Sequence, residues 1–358
     1  MDHAGRFARL RRRLEAEELD ALHVTHLPNV RYLCGFTGSS GSLLVGREAA
    51  WFFTDGRYRT QSSEEVADAE VGVYTQPQEL TDLLQRAGGE AGRSIGVEAG
   101  HVTISGLDRL TDQLEGWELI STSGWVEDLR RVKEPEELAL MQTAAEMADA
   151  GLAFILERVE PGRTERELAL DLEFQMRRAG ADDVAFGPIV AAGERSALPH
   201  AHPTDRVVEK GEFLLFDLGC VYHGYCSDLT RTVMVGPPSE RQREVYEAVA
   251  EAQRRGVDSV RAGRPAAEVD RAAREVLSEA GLGEAFAHGV GHGVGLEIHE
   301  SPTLRAASDD VLRAGEVVTV EPGAYLAGWG GVRIEDLLAV TEEGAEVLSQ
   351  SPKELLVL

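Results

Sequence analysis

The sequence is poor in cysteine and has no long apolar run. Three cysteines, Cys34, Cys220 and Cys226, are too few for a disulfide framework and fit a reducing compartment. No stretch approaches eighteen uninterrupted apolar residues, and the first twenty residues contain no apolar segment typical of a secretion signal. We therefore expect a cytoplasmic protein that does not enter a membrane.

Positive charge is also scarce, since 36 basic residues face 62 acidic ones and the formal net charge is -26. A field of this sign repels nucleic acids and anionic membranes, so neither is expected as a partner. The chain has 358 residues, of which 43% are hydrophobic, and this length exceeds what one ordinary core organises. Composition therefore predicts two domains, each with enough apolar material to fold.

The first part of the chain has the pattern of an αβ unit. Helical spacing of Phe7, Leu10 and Leu14 is followed by short strand-like segments, which are ALHVTH, SLLV, AAWFFT, SIGVE and WELIS. Pro135 then suits the first turn of a long periodic helix, which indicates a boundary between Ser123 and Lys133. We assign residues 1–127 to an N-terminal αβ domain and residues 128–358 to a second domain.

The second domain contains an internal repeat. GEFLLFD at 211–217 aligns without gaps on GEVVTVE at 315–321, which sets Asp217 against Glu321. Each apolar strand is followed by a glycine-containing turn and a returning strand with a second acid, Asp228 in the first copy and Glu335 in the second. A buried lone carboxylate costs several kcal/mol, so two in equivalent positions indicate a shared purpose.

Hairpin geometry brings these acids together in pairs. A turn centred on Tyr222-His223 places Asp217 directly opposite Asp228, whereas a longer turn that uses Gly224 leaves them as diagonal neighbours. In the second copy Glu321 and Glu335 pair around Gly328. Four converging carboxylates repel one another unless cations, or a lysine or arginine side chain, lie between them.

Imidazole ligands are available in HGVGHGVGLEIHE, which presents His288, His292 and His299 among four glycines. Four carboxylates and one imidazole form a hard, oxygen-rich donor set that suits Mn²⁺ or Co²⁺, with Zn²⁺ as a further alternative. The pattern predicts a hydrolytic centre with two divalent metal ions, of which Mn²⁺ is the expected one.

The segments FDLGCVYHGYCSDLTRT, HGVGHGVGLEIHE, VEPGAY and VRIED closely resemble those of metallopeptidases with the creatinase and methionine aminopeptidase fold, called pita-bread. Within that fold the chain is similar to the Xaa-Pro peptidases, prolidase and aminopeptidase P. The resemblance is detailed from about Arg131 to the end and weaker before it. It implies an α+β protein with a small creatinase-like N-terminal domain and a pseudo-symmetric pita-bread catalytic domain.

The resemblance also implies roles for individual residues. It implies five metal ligands, two of which (Asp228 and Glu335) bridge both ions: Asp217, Asp228, His292, Glu321 and Glu335. It implies four catalytic residues, with Glu321 passing a proton to the departing proline nitrogen: His200, His299, Glu321 and Arg333. It places His288 and Tyr325 in or around the substrate pocket. It gives no role to the remaining histidines, which we expect to be solvent-facing loop residues: His3, His23, His26, His101, His202 and His223.

The implied activity is hydrolysis of a small peptide with proline at its second position, and the implied assembly is a homodimer in which the N-terminal domain limits substrate access. The compact chain favours a prolidase, which cleaves Xaa-Pro dipeptides. However, many prolidases carry an arginine eleven residues after the metal histidine, and that position here is Thr303, with Arg305 two residues further on. Aminopeptidase P, which accepts tripeptides and longer peptides, is therefore the alternative.

Other function classes share this fold. It occurs as a metal-free binding module in histone chaperones, as a metal-free creatinase, and as a methionine aminopeptidase, which normally lacks the N-terminal unit. A binding module has no need of four converging acids, so the presence of all five ligand positions favours a metal-dependent hydrolase over the first alternative. Metal analysis is the test for both the binding module and the creatinase-like hydrolase.

Overall fold

The computed structural model describes residues 1–114 and 116–358. It divides into two units, Met1–Arg130 and Arg131–Leu358. The sequence places this boundary three residues earlier, after residue 127.

The first unit is built around a mixed six-stranded sheet with the strand order β4-β3-β2-β1-β5-β6. Its strands are β1 (Ala21–Val24), β2 (Ser42–Gly46), β3 (Ala50–Asp55), β4 (Glu70–Tyr74), β5 (Ser94–Glu98) and β6 (Glu118–Thr122). Its helices are α1 (His3–Ala16), α2 (Leu27–Cys34), α3 (Arg59–Glu65), α4 (Pro77–Ala91), α5 (Ile104–Gln113) and α6 (Trp125–Arg131), the last of which runs through the division. The five predicted strands are confirmed, while β4 and the helices α2, α3, α4 and α6 were not predicted.

The expectation that the histidines without an implied role are solvent-facing is partly wrong. His23 is buried on the central strand β1, because alternation along that strand does not apply where both faces are covered. Burial lowers the pKa of His23 to about 4. His3 is half-buried at the start of α1, and His26 is half-buried before α2, whereas His202 and His223 are exposed as predicted.

The second unit combines four helices of the described chain with small antiparallel sheets. The helices are α7 (Pro135–Leu156), α8 (Glu165–Arg178), α9 (Glu240–Ser259) and α10 (Ala266–Glu279). The strands are β7 (Asp183–Val184), β8 (Ile189–Ala192), β9 (Glu212–Leu218), β10 (Cys220–Tyr222), β11 (Tyr225–Cys226), β12 (Leu229–Val235), β13 (Gly291–Gly293), β14 (Glu300–Leu304), β15 (Val317–Val320), β16 (Gly323–Leu326), β17 (Gly330–Arg333), β18 (Asp336–Val340) and β19 (Ala345–Val347).

The internal repeat predicted from the sequence is visible in this unit. A helix pair precedes the strands in each half, α7 and α8 in the first and α9 and α10 in the second. Gly211 and Gly315 both have φ of 88°, so each central strand is entered through the same left-handed turn. The start of the second helix is held by an antiparallel bridge in both halves, from Thr164 to Val207 and from Pro265 to Val311. The two halves therefore repeat one backbone plan.

The prediction that Asp217 lies directly opposite Asp228 is wrong by two residues, whereas the alternative, with the two acids as diagonal neighbours, is confirmed. Asp217 lies opposite Thr230, and Tyr222 lies opposite Tyr225, so Asp217 and Asp228 are diagonal neighbours. The two turn residues are His223 and Gly224, with φ of 45° and 80°. Two consecutive residues with positive φ are characteristic of the tight hairpin turn that matches strand twist, and this fixes the turn one residue later than predicted.

The predicted register of the second hairpin is confirmed. Val320 lies opposite Asp336, and Gly323 lies opposite Arg333, which leaves Glu321 and Glu335 at facing positions. The turn surrounds Gly328, whose φ is 73°.

Each half has its own hydrophobic core. The first packs α7 and α8 on β9 and β12 through residues such as Leu152, Leu172 and Phe216. The second packs α9 and α10 on β15 and β18. By length and composition α7 could cross a membrane, and its residues Ala144, Ala148, Leu152 and Ile155 pack in the core of the first half. All three cysteines are buried free thiols.

Candidate metal centre

The predicted metal ligands line one cavity of about 390 Å³ in the second unit. The predicted residues His200, His288, His299 and Arg333 line the same cavity. Tyr325 is not part of this lining in the described chain. Its hydroxyl instead lies 2.9 Å from Nε2 of the lining residue His288. The cavity is lined by Phe186, Ile189, Pro199, His200, Asp217, Asp228, His288, Gly289, Gly291, His292, Ile298, His299, Thr303, Arg305, Glu321, Arg333 and Glu335.

The four acids occupy the ends of the two central hairpins. Asp217 is the penultimate residue of β9, and Asp228 immediately precedes β12. Glu321 immediately follows β15, and Glu335 immediately precedes β18. Three of the acids thus lie just outside a strand, whereas Asp217 remains paired with Ile189 on one side and Thr230 on the other.

Three of the predicted ligands already form a compact group. Ligand atoms of Asp228, His292 and Glu335 all lie within 4.8 Å of one another. His292 Nε2 lies 3.6 Å from Asp228 Oδ2 and 3.4 Å from Glu321 Oε1. A single cation among these atoms would contact donors from both halves of the repeat.

The acids are difficult to ionise together without cations. Burial, and then the negative charges of Glu335, Asp217 and Glu321, raises the pKa of Asp228 well above its ordinary value. Burial and the charge of Glu321 likewise raise the pKa of Glu335. The pKa of Glu321 is raised to about 8 by burial, against an opposing effect of Arg333.

Arg333 is the one guanidinium in contact with these acids among the described residues, and it compensates them only in part. Its Nη2 donates to Asp217 Oδ2 over 2.5 Å. Asp217 Oδ1 is buried and accepts no hydrogen bond in the described part of the chain. One cation faces four carboxylates, and a buried acceptor is left over, so the donor set fits divalent metal ions rather than an arginine-filled site.

The histidine in the group is oriented as a metal ligand. His292 Nδ1 lies 3.0 Å from the Gly293 carbonyl oxygen, which fixes the proton on Nδ1 and leaves the Nε2 lone pair facing Asp228 and Glu321. Burial lowers the pKa of His292 to about 4, which keeps the imidazole neutral as metal binding requires.

Hydrogen bonds connect the other predicted residues to this centre. Tyr325 accepts from Arg333 Nη1 over 2.9 Å, and its hydroxyl can donate to His288 Nε2 over 2.9 Å. His299 packs against His292 with ring centroids 4.3 Å apart. Tyr325 therefore fixes two cavity residues at once, although it does not line the cavity itself.

The rest of the cavity lining includes a set of apolar side chains, called here the apolar wall, and one exposed arginine. Phe186, Ile189, Pro199 and Ile298 supply apolar surface. Arg305 lies at an exposed position of the lining. The cavity thus offers an apolar surface and a cationic group in addition to the acids.

Two threonines that the sequence analysis missed support the acids. Thr230 donates to Glu335 Oε2 over 2.7 Å and accepts from Arg333 Nε, while its carbonyl oxygen accepts from the Glu335 amide. Thr319 lies 3.4 Å from Glu321 Oε1 and accepts from the His292 amide. Each lies two residues from a ligand acid, so strand alternation could have identified both. Through Thr230 the first half holds an acid of the second.

Comparison with known proteins agrees with this architecture. The model of metallopeptidase family M24 matches residues 139–342, and that of the creatinase/prolidase N-terminal domain matches residues 6–132. The chain is 36% identical over 353 residues to a Xaa-Pro dipeptidase of Pyrococcus furiosus, covering 98% of this chain and 99% of the relative. These matches confirm the predicted two-domain α+β fold.

Solved structures with two different names are similar over almost the whole chain. A Xaa-Pro dipeptidase from Bacillus anthracis has a TM-score of 0.97 and 42% identity, covering 99% of this chain and 100% of that one. An X-Pro aminopeptidase from Thermotoga maritima has a TM-score of 0.90 and 35% identity, covering 95% and 98%.

Proposed function

Because the chain belongs to metallopeptidase family M24, we propose that it is a Xaa-Pro dipeptidase, a prolidase, that uses two divalent metal ions. The observation that carries this proposal is one cavity that joins four carboxylates and an imidazole to an apolar wall. We propose Asp217, Asp228, His292, Glu321 and Glu335 as the metal ligands. Mn²⁺ is the proposed ion, because the donors are mostly hard oxygen atoms.

The apolar wall is suited to a proline ring. An Xaa-Pro bond is a tertiary amide without an N–H group, so an enzyme cannot recognise it through that hydrogen bond. Phe186, Ile189 and Pro199 offer apolar surface beside Asp217 in the same cavity. Burial of the pyrrolidine ring there would replace the missing polar contact with hydrophobic stabilisation.

The protein's own side chains orient the substrate and move its proton. Divalent ions held by the five ligands would polarise the scissile carbonyl and acidify an attacking water. Glu321 would take the proton released in the attack and give it to the proline nitrogen, which must be protonated to leave. His200 and His299 line the cavity with imidazole donors for the carbonyl oxygen, and Arg333 keeps Asp217 in place through their ion pair.

Arg305 is the proposed partner for the free carboxylate of a dipeptide. Only Arg305 and Arg333 carry a full positive charge among the lining residues, and Arg333 is occupied by Asp217 and Tyr325. Arg305 is exposed, and its guanidinium forms no ion pair with an acid of the described residues. A dipeptide ends at the proline, so its carboxylate would reach this group, whereas a longer peptide has a neutral amide there.

An Xaa-Pro aminopeptidase is the second candidate. Thr303 is neutral where many prolidases have an arginine, and it donates its backbone N–H to Asp310 rather than offering charge to the cavity. If Arg305 does not bind the substrate carboxylate, the enzyme would accept peptides of a wider range of lengths.

One assay distinguishes the two candidates. Mn²⁺-loaded protein is offered Ala-Pro and Ala-Pro-Ala separately, and the products are followed by mass. We expect proline from the dipeptide, with kcat/KM at least about tenfold above that for the tripeptide, which corresponds to one charge-assisted hydrogen bond. Faster cleavage of the tripeptide would support the aminopeptidase. Cleavage of neither peptide, with metal bound, would reject both.

We further propose that the enzyme acts in the cytoplasm as a homodimer. The free buried thiols and the resemblance to Xaa-Pro peptidases support this assignment. Light scattering of the full chain should give twice the chain mass of 38.8 kDa. A monomer at micromolar concentration would remove the dimer from the proposal.

A further inference from the structure

The loop from Phe286 to Val290 brings His288 to the cavity without belonging to a helix or strand. Its main chain is held from outside by helix α10. Arg274 donates from Nη1 to the Phe286 carbonyl oxygen over 3.0 Å and from Nη2 to the His288 carbonyl oxygen over 2.7 Å. The same guanidinium stacks 4.2 Å from the Phe286 ring centroid. A single side chain thus determines the path of the loop on both sides of residue 287.

Asp270 completes this clamp from the preceding turn of α10. Its carboxylate accepts two hydrogen bonds of 2.9 Å from Arg274 and a third of 3.1 Å from the Val290 amide. The carbonyl oxygen of Val290 in turn accepts from the Glu321 amide over 2.7 Å. The single residue Val290 therefore connects the Asp270–Arg274 pair on α10 to the backbone of a proposed metal ligand.

The first half contains a comparable pair that holds a different histidine loop. Glu165, the fully buried first residue of α8, accepts from the amides of Ala192 and Thr204. It also pairs with Arg195, which donates to the His202 carbonyl oxygen over 2.6 Å. The segment between these contacts contains His200, a cavity residue.

The two pairs are not copies of one ancestral pair. Helices α8 and α10 have equal lengths and begin at Glu165 and Ala266, so Ala169 and Glu173 occupy the positions of Asp270 and Arg274. Each half therefore holds its loop by residues that the other half lacks. Both pairs hold a loop that carries a histidine into the same cavity. A role in stabilising the fold does not by itself explain why two unrelated pairs share this feature.

We infer that the pairs Glu165–Arg195 and Asp270–Arg274 are positioning elements that set His200 and His288 against the substrate, and that the second pair also sets Glu321. The catalytic consequence rests on the proposed peptidase function. The structural part, which is control of the two loops, stands without it.

The first test replaces the forked guanidinium by a single ammonium. Arg274→Lys keeps a cation beside Asp270 but cannot donate to the carboxylate and both carbonyl oxygens together. We expect kcat for Ala-Pro to fall about 10- to 100-fold, as for other residues that orient a catalytic group, while KM changes less than about threefold. Arg195→Lys should act similarly through His200. Arg271→Lys is the matched control, since Arg271 lies on the same helix and its ion pairs within the described chain are with half-exposed Glu268 and exposed Glu275.

A double-variant cycle then shows whether Arg274 acts through the histidine. If it does, Arg274→Lys should lose most of its effect on kcat in a His288→Ala background, because the positioned group is gone. Equal effects in both backgrounds would overturn the inference, as would a kcat for Arg274→Lys equal to that of the Arg271→Lys control.

Hydrogen exchange gives a readout that does not depend on peptide cleavage. Asp270→Ala removes the acceptor of the Val290 amide, so residues 286–290 should exchange at least about tenfold faster in it and in Arg274→Lys, while the rest of the second unit stays protected. Asp270→Ala also serves if Arg274→Lys does not fold. Unchanged exchange in a folded variant would overturn the loop assignment, whereas failure of the wild type to cleave Ala-Pro would reject only the proposed function.

Discussion

The two halves of the second unit share a backbone plan but supply different chemistry to one cavity. The first half contributes Asp217 and Asp228 together with most of the apolar wall. The second contributes Glu321, Glu335, the three histidines of its glycine-rich segment and Arg305. The acids that agree between the halves lie at or beside strand ends, whereas His288, His299 and Arg305, which have no counterpart in the first half, lie on loops. The comparison indicates that the repeated strands assemble the cation site, while divergent loops determine what is bound beside it.

The strongest test of this division removes, from each half, the charge of one acid that lies beside a strand end. Asp228→Asn and Glu335→Gln preserve side-chain size but remove a charge, and each should lower kcat/KM by at least about 10³-fold, or about 4 kcal/mol of transition-state stabilisation. Metal content by mass spectrometry should fall in both. Thermal unfolding of the metal-free variants should shift upward, since a repelling buried charge is gone. Near-normal turnover in one variant would show that the halves are not equal partners.

Stability measurements compare how the halves hold their loops. Glu165→Gln should lower the free energy of unfolding by about 2–4 kcal/mol, because it leaves Arg195 and several amides without their buried anion. Asp270→Asn should cost about 1–3 kcal/mol, since Arg274 is partly exposed and its charge stays hydrated. Urea unfolding provides the comparison, and Arg271→Gln provides a surface control. A larger loss of unfolding free energy in Asp270→Asn than in Glu165→Gln would contradict the greater role assigned to Glu165.

Arg305 gives the second half a role in substrate selection that the first half lacks. Arg305→Gln should raise KM for Ala-Pro about 10- to 100-fold, the usual worth of a hydrogen bond to a charged group. KM for Ala-Pro amide should be unaffected, because that substrate has no carboxylate. Steady-state kinetics of both peptides decide the point, and an equal rise for the amide would indicate a general disturbance of the cavity.

Substitutions in the two hairpin turns have the smallest expected effect on the free energy of unfolding. His223 has positive φ where the first turn requires it, whereas the second turn has Gly328 at such a position. His223→Asn should stabilise the protein by about 0.5 kcal/mol, because asparagine adopts this region more readily, and Gly328→Ala should destabilise it by about 1 kcal/mol. Urea midpoints at constant slope measure both, and a loss of stability in His223→Asn would refute the turn assignment.

The same turns show why sequence predicted one register and not the other. The residues around Gly328 have one obvious centre, so Glu321 and Glu335 were paired correctly. In the first hairpin His223 and Gly224 both take positive φ, and shifting the centre by one residue changes every partner by two positions. Gly224 suggested the diagonal alternative, but only the positive φ of His223 shows that the turn has two residues.

The positioning pairs leave almost no pattern in the sequence. Asp270 and Arg274 are four residues apart and resemble an ordinary surface ion pair on a helix. Their contacts are with main-chain atoms of Phe286, His288 and Val290, and a main-chain contact does not constrain the identity of the residue that makes it. The cavity residues were predicted because their side chains do the chemistry, whereas the groups that hold their backbones become visible only in three dimensions.

The two hydrogen bonds between Thr230 and Glu335, one donated by each residue, bear on how such a protein could have originated. A primordial chain of one repeat would have carried a single pair of acids, with its threonine facing solvent. Two identical copies would have had to associate face to face before any cation could be caged. Fusion of the genes would have made that association permanent and released each copy from the need to remain identical. The second half could then acquire its glycine-rich histidine segment, and the first half most of the apolar wall.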